Sequence, residues 1–316
     1  MKNMAKLISF VIPVYNEEKN LPLLYGNLKE ILKASNHEHE IIFVNDGSSD
    51  GSASELKKIS LLDNKVKVIE FSRNFGKEIA LTAGLHNCFG DCGIMLDADL
   101  QHPIELIPEF IAKWENGAEV VVGVRSNNSE KFIKKYGSLI FYKIMNRISD
   151  TELLSGATDF RLLDKAVISE FNRFTEKNRL TRGLIAWLGF KRDFVYFNAQ
   201  PRINGVPGYG TLKLIKLAMS SIVSLSLFPL KIAGYLGIFI TLISGLMGLF
   251  IVLEKYIFND PWSLNFSGSA ILAVIILFLV GVILSCLGLI ALYIAHIHKE
   301  VINRPIYVIR KKENFL

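Results

Sequence analysis

The chain has 316 residues, with 36 Lys and Arg against 30 Asp and Glu, a formal charge of +6. Half of its residues are hydrophobic and its mean hydropathy is +0.32, high for a wholly soluble protein and enough for one sizeable domain plus an apolar appendage. The basic residues crowd near the apolar segments, where anionic lipid attracts them, so a membrane explains them better than nucleic acid does.

The opening 18 residues combine a basic residue with an apolar run, but the run is short, contains Pro13 and ends in acids, so it reads as a buried strand over 7–14 and not as a secretion signal. From there strand-like and helix-like segments alternate. Helical spacing over 21–32 precedes a strand over 40–44, a helix over 53–62 and a strand over 66–71. A helix over 79–88, a strand over 93–96, a helix over 104–114 and a strand over 120–124 follow. Short apolar strands alternating with helices predict an α/β domain with a mainly parallel sheet covered on both faces. Ligands of such sheets lie beyond the carboxyl ends of the strands, and the polar clusters fall there: Tyr15-Asn16-Glu17, Asn45-Asp46-Gly47, Ser72-Arg73-Asn74 and Asp97-Ala98-Asp99. Residues 131–146 read as helical, the chain is polar through Asp159, and a helix–strand stretch runs to Phe197.

The last third is different. A Gly/Pro-rich loop over 202–210 leads into 212–228, where apolar residues mix with Lys213, Lys216 and several serines, a composition suited to a helix at a membrane surface. Two stretches without Asp, Glu, Lys or Arg follow, 232–253 and 262–297, each longer than the roughly 20 apolar residues needed to cross a bilayer. Lysines and arginines flank the pair on the outside, while the connection carries Glu254, Lys255 and Asp260, so both chain ends are expected in the cytoplasm. The expected organisation is a cytoplasmic catalytic domain (1–210), an interfacial amphipathic helix (211–230), two transmembrane helices (231–298) and a cytoplasmic basic tail (299–316). Cys88, Cys92 and Cys286 make no metal-binding pattern, and a cytoplasmic domain keeps its thiols reduced.

Two segments carry chemistry. In MLDADLQHP a strand runs into Asp97 and Asp99, followed by Gln101. Hard divalent cations prefer oxygen ligands, and magnesium often takes one or two carboxylates plus substrate phosphates; such an ion acts as a Lewis acid on a departing diphosphate. In NDGSSDGS, Asp46 stands where it can accept hydrogen bonds from a nucleobase, and the Gly/Ser run provides a tight turn into the next helix. Neither a dinucleotide-binding glycine motif nor a P-loop is present.

VIPVYNEEKNL, VNDGSSDGS, FSRNFGKEIALTAGL, DADLQHP and SGATDFRLLDK together resemble the family 2 glycosyltransferases of GT-A fold. Within that family the likeness is to polyprenyl-phosphate glycosyltransferases of the bactoprenol glucosyltransferase and dolichol-phosphate mannose synthase type, and it covers nearly the whole chain. The resemblance implies a nucleoside and sugar pocket lined by Pro13, Tyr15, Glu17, Asp46, Asp97 and Ala98. Asp99, also at the nucleotide sugar, and Gln101 would hold Mg²⁺ or Mn²⁺. Asp159 matches the proposed catalytic carboxylate. Arg125 and Arg202 would face phosphates, and Lys134, Lys135 and Ser138 are candidates for the lipid phosphate. Many relatives carry Ser-Lys where this chain has Pro207-Gly208, so the Arg202 loop lacks a cation. The implied partners are a nucleotide sugar, polyprenyl phosphate and the membrane, with a homotetramer favoured. UDP-glucose is the first donor expected, then UDP-N-acetylglucosamine or GDP-mannose. A catalytically silent sugar-nucleotide-binding scaffold is disfavoured by the intact acids. A processive synthase is disfavoured by the missing Q-x-x-R-W motif.

Overall fold

The computed structural model describes residues 5–126, 156–176, 179–198, 268–301 and 304–315, with Leu246 and Leu253 as isolated positions. Two compact units emerge, one formed by 1–215 together with 304–316, the other by 216–303.

The first unit is built on an eight-stranded sheet. Its elements in chain order are β1 (Leu7–Val14), α1 (Leu21–Lys33), β2 (Glu38–Asn45), α2 (Ser52–Leu62), β3 (Val66–Phe71), α3 (Lys77–His86) and β4 (Cys92–Met95). A 3₁₀ turn (Ile104–Leu106) then precedes α4 (Ile107–Glu115), β5 (Val120–Arg125), β6 (Ala157–Asp164), α5 (Lys165–Asn172), α6 (Thr181–Trp187), β7 (Arg192–Phe197) and, far along the chain, β8 (Ile309–Glu313). The strand order is β7-β5-β6-β4-β1-β2-β3-β8. β6 and β8 run antiparallel to their neighbours, and the other pairings are parallel.

Alternation along the strands divides the core. Ile8, Phe10, Ile12, Ile41 and Phe43 pack with Leu24 and Leu28 of α1, Leu56 of α2 and Phe110 of α4 on one face. On the other, Val11 and Met95 meet Leu81 and Leu85 of α3, Phe171 of α5 and Leu184 of α6, while Ile42, Val44 and Phe71 meet Ala80 and Ala83 of α3. The sheet is covered on both faces, as the alternation of elements predicts. Close packing of α3 uses Gly84, where a Cβ would lie 2.2 Å from the Val11 side chain. Pro13 sits in a central strand at no cost to the ladder. Val11 accepts the last bond from the β4 side, from the Leu96 N–H, so the missing N–H of Pro13 faces the side on which β4 has already ended.

Two differences from the sequence reading have simple causes. The helix expected over 104–114 begins as a 3₁₀ turn and becomes α-helical at Ile107, because Pro108 suits only a first helical turn. The polar stretch ending at Asp159 passes into a strand from Ala157: Phe160 and Leu162 reach one core and Leu163 the other, while the intervening Asp159 and Arg161 are also buried.

The second unit contains α7 (Gly268–Val301), 34 residues and about 50 Å long at 1.5 Å per residue. Among the described residues, no helix is long and apolar enough to cross a membrane. The expected interfacial helix and, but for Leu246 and Leu253, the first expected span lie outside the described residues.

The chain end returns to the sheet. β8 pairs with β3, Tyr307 stacks on Phe71 with centroids 5.2 Å apart, and its hydroxyl lies 3.1 Å from Nδ1 of His86. Tyr307→Ala is expected to destabilise the first unit by about 2 kcal/mol, whereas Tyr307→Phe, which keeps the ring, costs under about 1 kcal/mol. Denaturant unfolding of the two variants measures the difference.

Candidate active site

The polar clusters gather at one sheet edge, and each is fixed by its neighbours. After β1, Asn16 takes a left-handed conformation (φ 57°). Its side chain accepts the N–H of Ser49 at 2.8 Å, and its own N–H donates to Ser48 Oγ at 3.0 Å. The Glu17 N–H donates to Ser52 Oγ. The serines of NDGSSDGS therefore tie the loop after β1 to the loop after β2. Gly47 is required in that turn: its φ is +65°, and a Cβ there would lie 2.5 Å from the backbone of Arg73.

Asp46, buried at the end of β2, accepts the N–H groups of Phe75 at 2.6 Å and Gly76 at 2.9 Å. Burial raises its pKa despite those two bonds and the nearby Arg73. Both oxygens thus serve first to hold the loop that starts α3. Tyr15 is half exposed at the same edge, Glu17 is partly buried, and Asn20 donates to Glu17 Oε2 at 2.6 Å.

The centre of the site follows from strand register. Met95 of β4 stands opposite Arg161 of the antiparallel β6, and two residues further Asp97 comes opposite Asp159. One ammonium joins them: Lys77 Nζ lies 2.7 Å from Asp97 Oδ1 and 2.7 Å from Asp159 Oδ2. Arg182, from α6, grips Asp159 as a fork, Nε to Oδ1 at 2.5 Å and Nη2 to Oδ2 at 2.9 Å. Burial alone would raise the Asp159 pKa, but Arg182 and then Lys77 outweigh it and hold the carboxyl well below its ordinary value. Asp97 is likewise lowered, by Lys77 and His102 against burial. Burial would lower Lys77, but Asp97 and Asp159 prevail and raise it. Glu78 accepts the N–H of Thr181 at 3.0 Å, and burial followed by repulsion from Asp159 raises its pKa.

The Asp97–Gln101 loop is shaped from below. Buried His102 accepts the Asp97 N–H through Nδ1 at 3.2 Å and stacks on Phe160 with centroids 5.2 Å apart. Burial lowers its pKa, favouring the neutral ring that this acceptor role needs. Leu100 holds φ 59°, a left-handed conformation costing about 1 kcal/mol for a residue with a Cβ. Ala98 packs in the core. Asp99 is buried and accepts the Gln101 N–H at 3.1 Å. Arg125, at the end of β5, reaches Gln101 Oε1 at 3.5 Å, and its buried Nε has no hydrogen-bond partner among the described residues. Lys134, Lys135, Ser138 and Arg202 lie outside the described residues.

Asp99, Gln101 and Asp97 present hard oxygen donors at this loop, with Asp97 Oδ1 beside the Lys77 ammonium at 2.7 Å. No group of three or more His, Cys, Asp or Glu able to hold a metal forms among the described residues. A set of one or two carboxylates fits Mg²⁺ or Mn²⁺ only where substrate phosphates complete the shell. Sequence reasoning missed Lys77, Glu78, His102 and Arg182. Lys77 and His102 lie inside quoted motifs, but Arg182 stands in no motif and is found only through the packing of α6.

The sequence profile of the family described as glycosyl transferase family 2 matches residues 9–171. The glycosyltransferase YkcC of Bacillus subtilis (strain 168) is 41% identical over 304 residues, covering 96% of this chain and 93% of its own. The SfII prophage-derived bactoprenol glucosyl transferase of Shigella flexneri is 39% identical over 305 residues, covering 96% and 97%. Among solved structures, glucosyl-3-phosphoglycerate synthase from Mycobacterium tuberculosis in complex with Mn²⁺, UDP-glucose and phosphoglyceric acid aligns with 17% identity and TM-score 0.47, over 70% of this chain and 78% of that one.

A depressed carboxylate stabilises the fold above its unfolded pKa, about 4, and that contribution is lost as pH falls through the lower folded value. The stability gap between wild type and Asp159→Asn is therefore expected to stay constant from pH 8 to about 5 and to close below about 4. Urea unfolding across that range measures it.

Proposed function

The chain belongs to glycosyl transferase family 2, and from that premise we propose that it transfers a hexose from a nucleotide sugar to polyprenyl phosphate at the cytoplasmic membrane face. The observation that carries the reading is the meeting of Asp97 and Asp159 across β4 and β6, with Asp99 and Gln101 beside them on the same loop. Names of close relatives support the acceptor class and favour glucose, and a UDP-sugar is the proposed donor.

A divalent cation, Mg²⁺ or Mn²⁺, held by Asp99 and Gln101 would supply Lewis-acid stabilisation of the leaving nucleoside diphosphate. Asp97 faces the donor. Arg125, whose Nε has no partner among the described residues, would serve a phosphate oxygen. The acceptor is a phosphate monoester with a second pKa near 6, largely dianionic at pH 7, so the site needs position and compensated charge more than a strong base. Asp159, clamped by two cations, suits orientation of the reacting groups. The acceptor oxygen displaces the diphosphate directly, with inversion at the anomeric carbon, giving a β-linked lipid-phosphate sugar from an α-linked donor.

Topology supports a paired membrane crossing. β8 pairs with β3, so the chain end lies on the same side of any bilayer as the sheet. A chain that enters the membrane between them must cross an even number of times. Two spans, over 232–253 and 262–297, meet that condition, and a homotetramer completes the proposed assembly.

Asp99→Ala is expected to abolish transfer, by at least about a hundredfold, even in excess Mn²⁺. The assay is release of nucleotide on adding polyprenyl phosphate, with mass spectrometry of the extracted lipid to identify the sugar. Undiminished turnover in this variant removes Asp99 from the metal role, and no glycosyl lipid from wild type removes the acceptor assignment.

A further inference from the structure

Lys77 has two carboxylate partners of unequal standing. Asp159 holds a second cation, Arg182, in a bidentate fork. Besides Lys77, the ion-pair neighbour of Asp97 among the described residues is the imidazole of His102, with Nε2 3.9 Å away. Lys77 Nζ donates to Asp97 Oδ2 at 2.9 Å and lies 2.7 Å from Oδ1, and the Asp97 side chain is more exposed (21%) than that of Asp159 (6%). The Lys77–Asp97 pair is therefore the weaker half of the bridge. It is also the half that a donor must disturb, because Asp97 lies on the donor side.

Lys77 is placed to move. Its side chain is about one-third exposed, and an ammonium on a four-carbon stem pivots between acceptors more easily than a guanidinium fork does. Gly76 before it has φ +105°, and a Cβ there would meet nothing within 4 Å among the described residues, so those residues leave open space beside the start of α3. The backbone at this point is nevertheless fixed, since Asp46 holds the N–H groups of Phe75 and Gly76. The anchor is fixed, and only the flexible stem has to turn for the ammonium to change partners.

We propose that Lys77 exchanges partners as the donor loads: in the ligand-free protein its ammonium bridges Asp97 and Asp159, and on loading it leaves Asp97 for the diphosphate of the nucleotide sugar. This rests on the donor reading above. A partly exposed ion pair costs less to break than a buried one, and a charge-assisted bond to a phosphate oxygen replaces it. The exchange keeps an ammonium within the acid cluster before loading, and releases both Asp97 and a positive charge when the polyanion arrives. Asp159 retains Arg182 throughout and does not lose its ionised form.

The test compares binding of uridine, UDP and GDP to the full-length protein in detergent with Mn²⁺, by calorimetry, for wild type, Lys77→Gln and Lys77→Arg. Glutamine keeps a hydrogen-bond donor without the charge, and thermal unfolding checks that each variant keeps the fold. Lys77→Gln is expected to weaken the preferred nucleoside diphosphate at least tenfold while changing uridine affinity less than twofold, and Lys77→Arg to recover part of the loss. Equal loss for uridine and UDP would make Lys77 a shaper of the pocket and overturn the exchange, as would unchanged affinity for both. Failure of the wild type to bind either diphosphate overturns the donor reading and this proposal together.

Discussion

The site depends on one antiparallel insertion. β6 runs down between β4 and β5, so a residue near its beginning shares an edge with residues beyond the end of β4. Asp159 and Asp97 meet for that reason and no other. The meeting is costly: two carboxylates that share one ammonium repel by roughly 3 kcal/mol at an effective dielectric constant near 20. The cations that offset this cost come from separate elements, Lys77 from the start of α3 and Arg182 from α6. The sheet order, the two helices and the charge pattern are consequently one requirement. Shifting β6 by a single residue would turn Asp159 to the opposite face and leave Lys77 and Arg182 facing each other.

The backbone around this cluster is held by polar side chains more than by apolar ones. Asn16, Ser48, Ser49 and Ser52 join the first two loops, Asp46 joins the second to the third, and His102 braces the fourth. Loops with so many donors and acceptors would be mobile if each were merely solvated. Bonded to one another, they place the carboxylates without needing a ligand to order them, which is what preorganised catalysis requires.

Much of this was legible in the sequence, for identifiable reasons. Runs such as Leu7–Val14 and Val66–Phe71 are apolar, short and bounded by turn residues, so their bounds match the observed strands. The convergence of Asp46 and Asp97 followed from the rule that parallel strands present their ends together. β6 was harder, because Asp159 and Arg161 interrupt its apolar face and are buried through ion pairing and hydrogen bonding, which periodicity does not register. Arg182 was invisible since its significance lies in a contact 23 residues away in sequence. β8 was concealed in a basic tail: in Ile309–Glu313 the outward charges outnumber the residues that touch the sheet, and its strand character comes from an available edge on β3.

The clamp on Asp159 also bears on which acceptors such a site can use. A carboxylate held by two cations has little affinity for a proton, so it is a poor base toward a neutral hydroxyl whose proton must leave during attack. Toward a phosphate that is already ionised the same arrangement is no handicap, because no proton has to move. What an anionic acceptor needs is relief from the charge of the donor's diphosphate; Lys77 and Arg182 are offset by Asp97 and Asp159 in the ligand-free arrangement, so that relief falls to Arg125, a bound divalent cation and a Lys77 released from Asp97. An Asp159 gripped by Arg182 and Lys77 therefore fits an acceptor that brings its own negative charge better than one that must first be deprotonated.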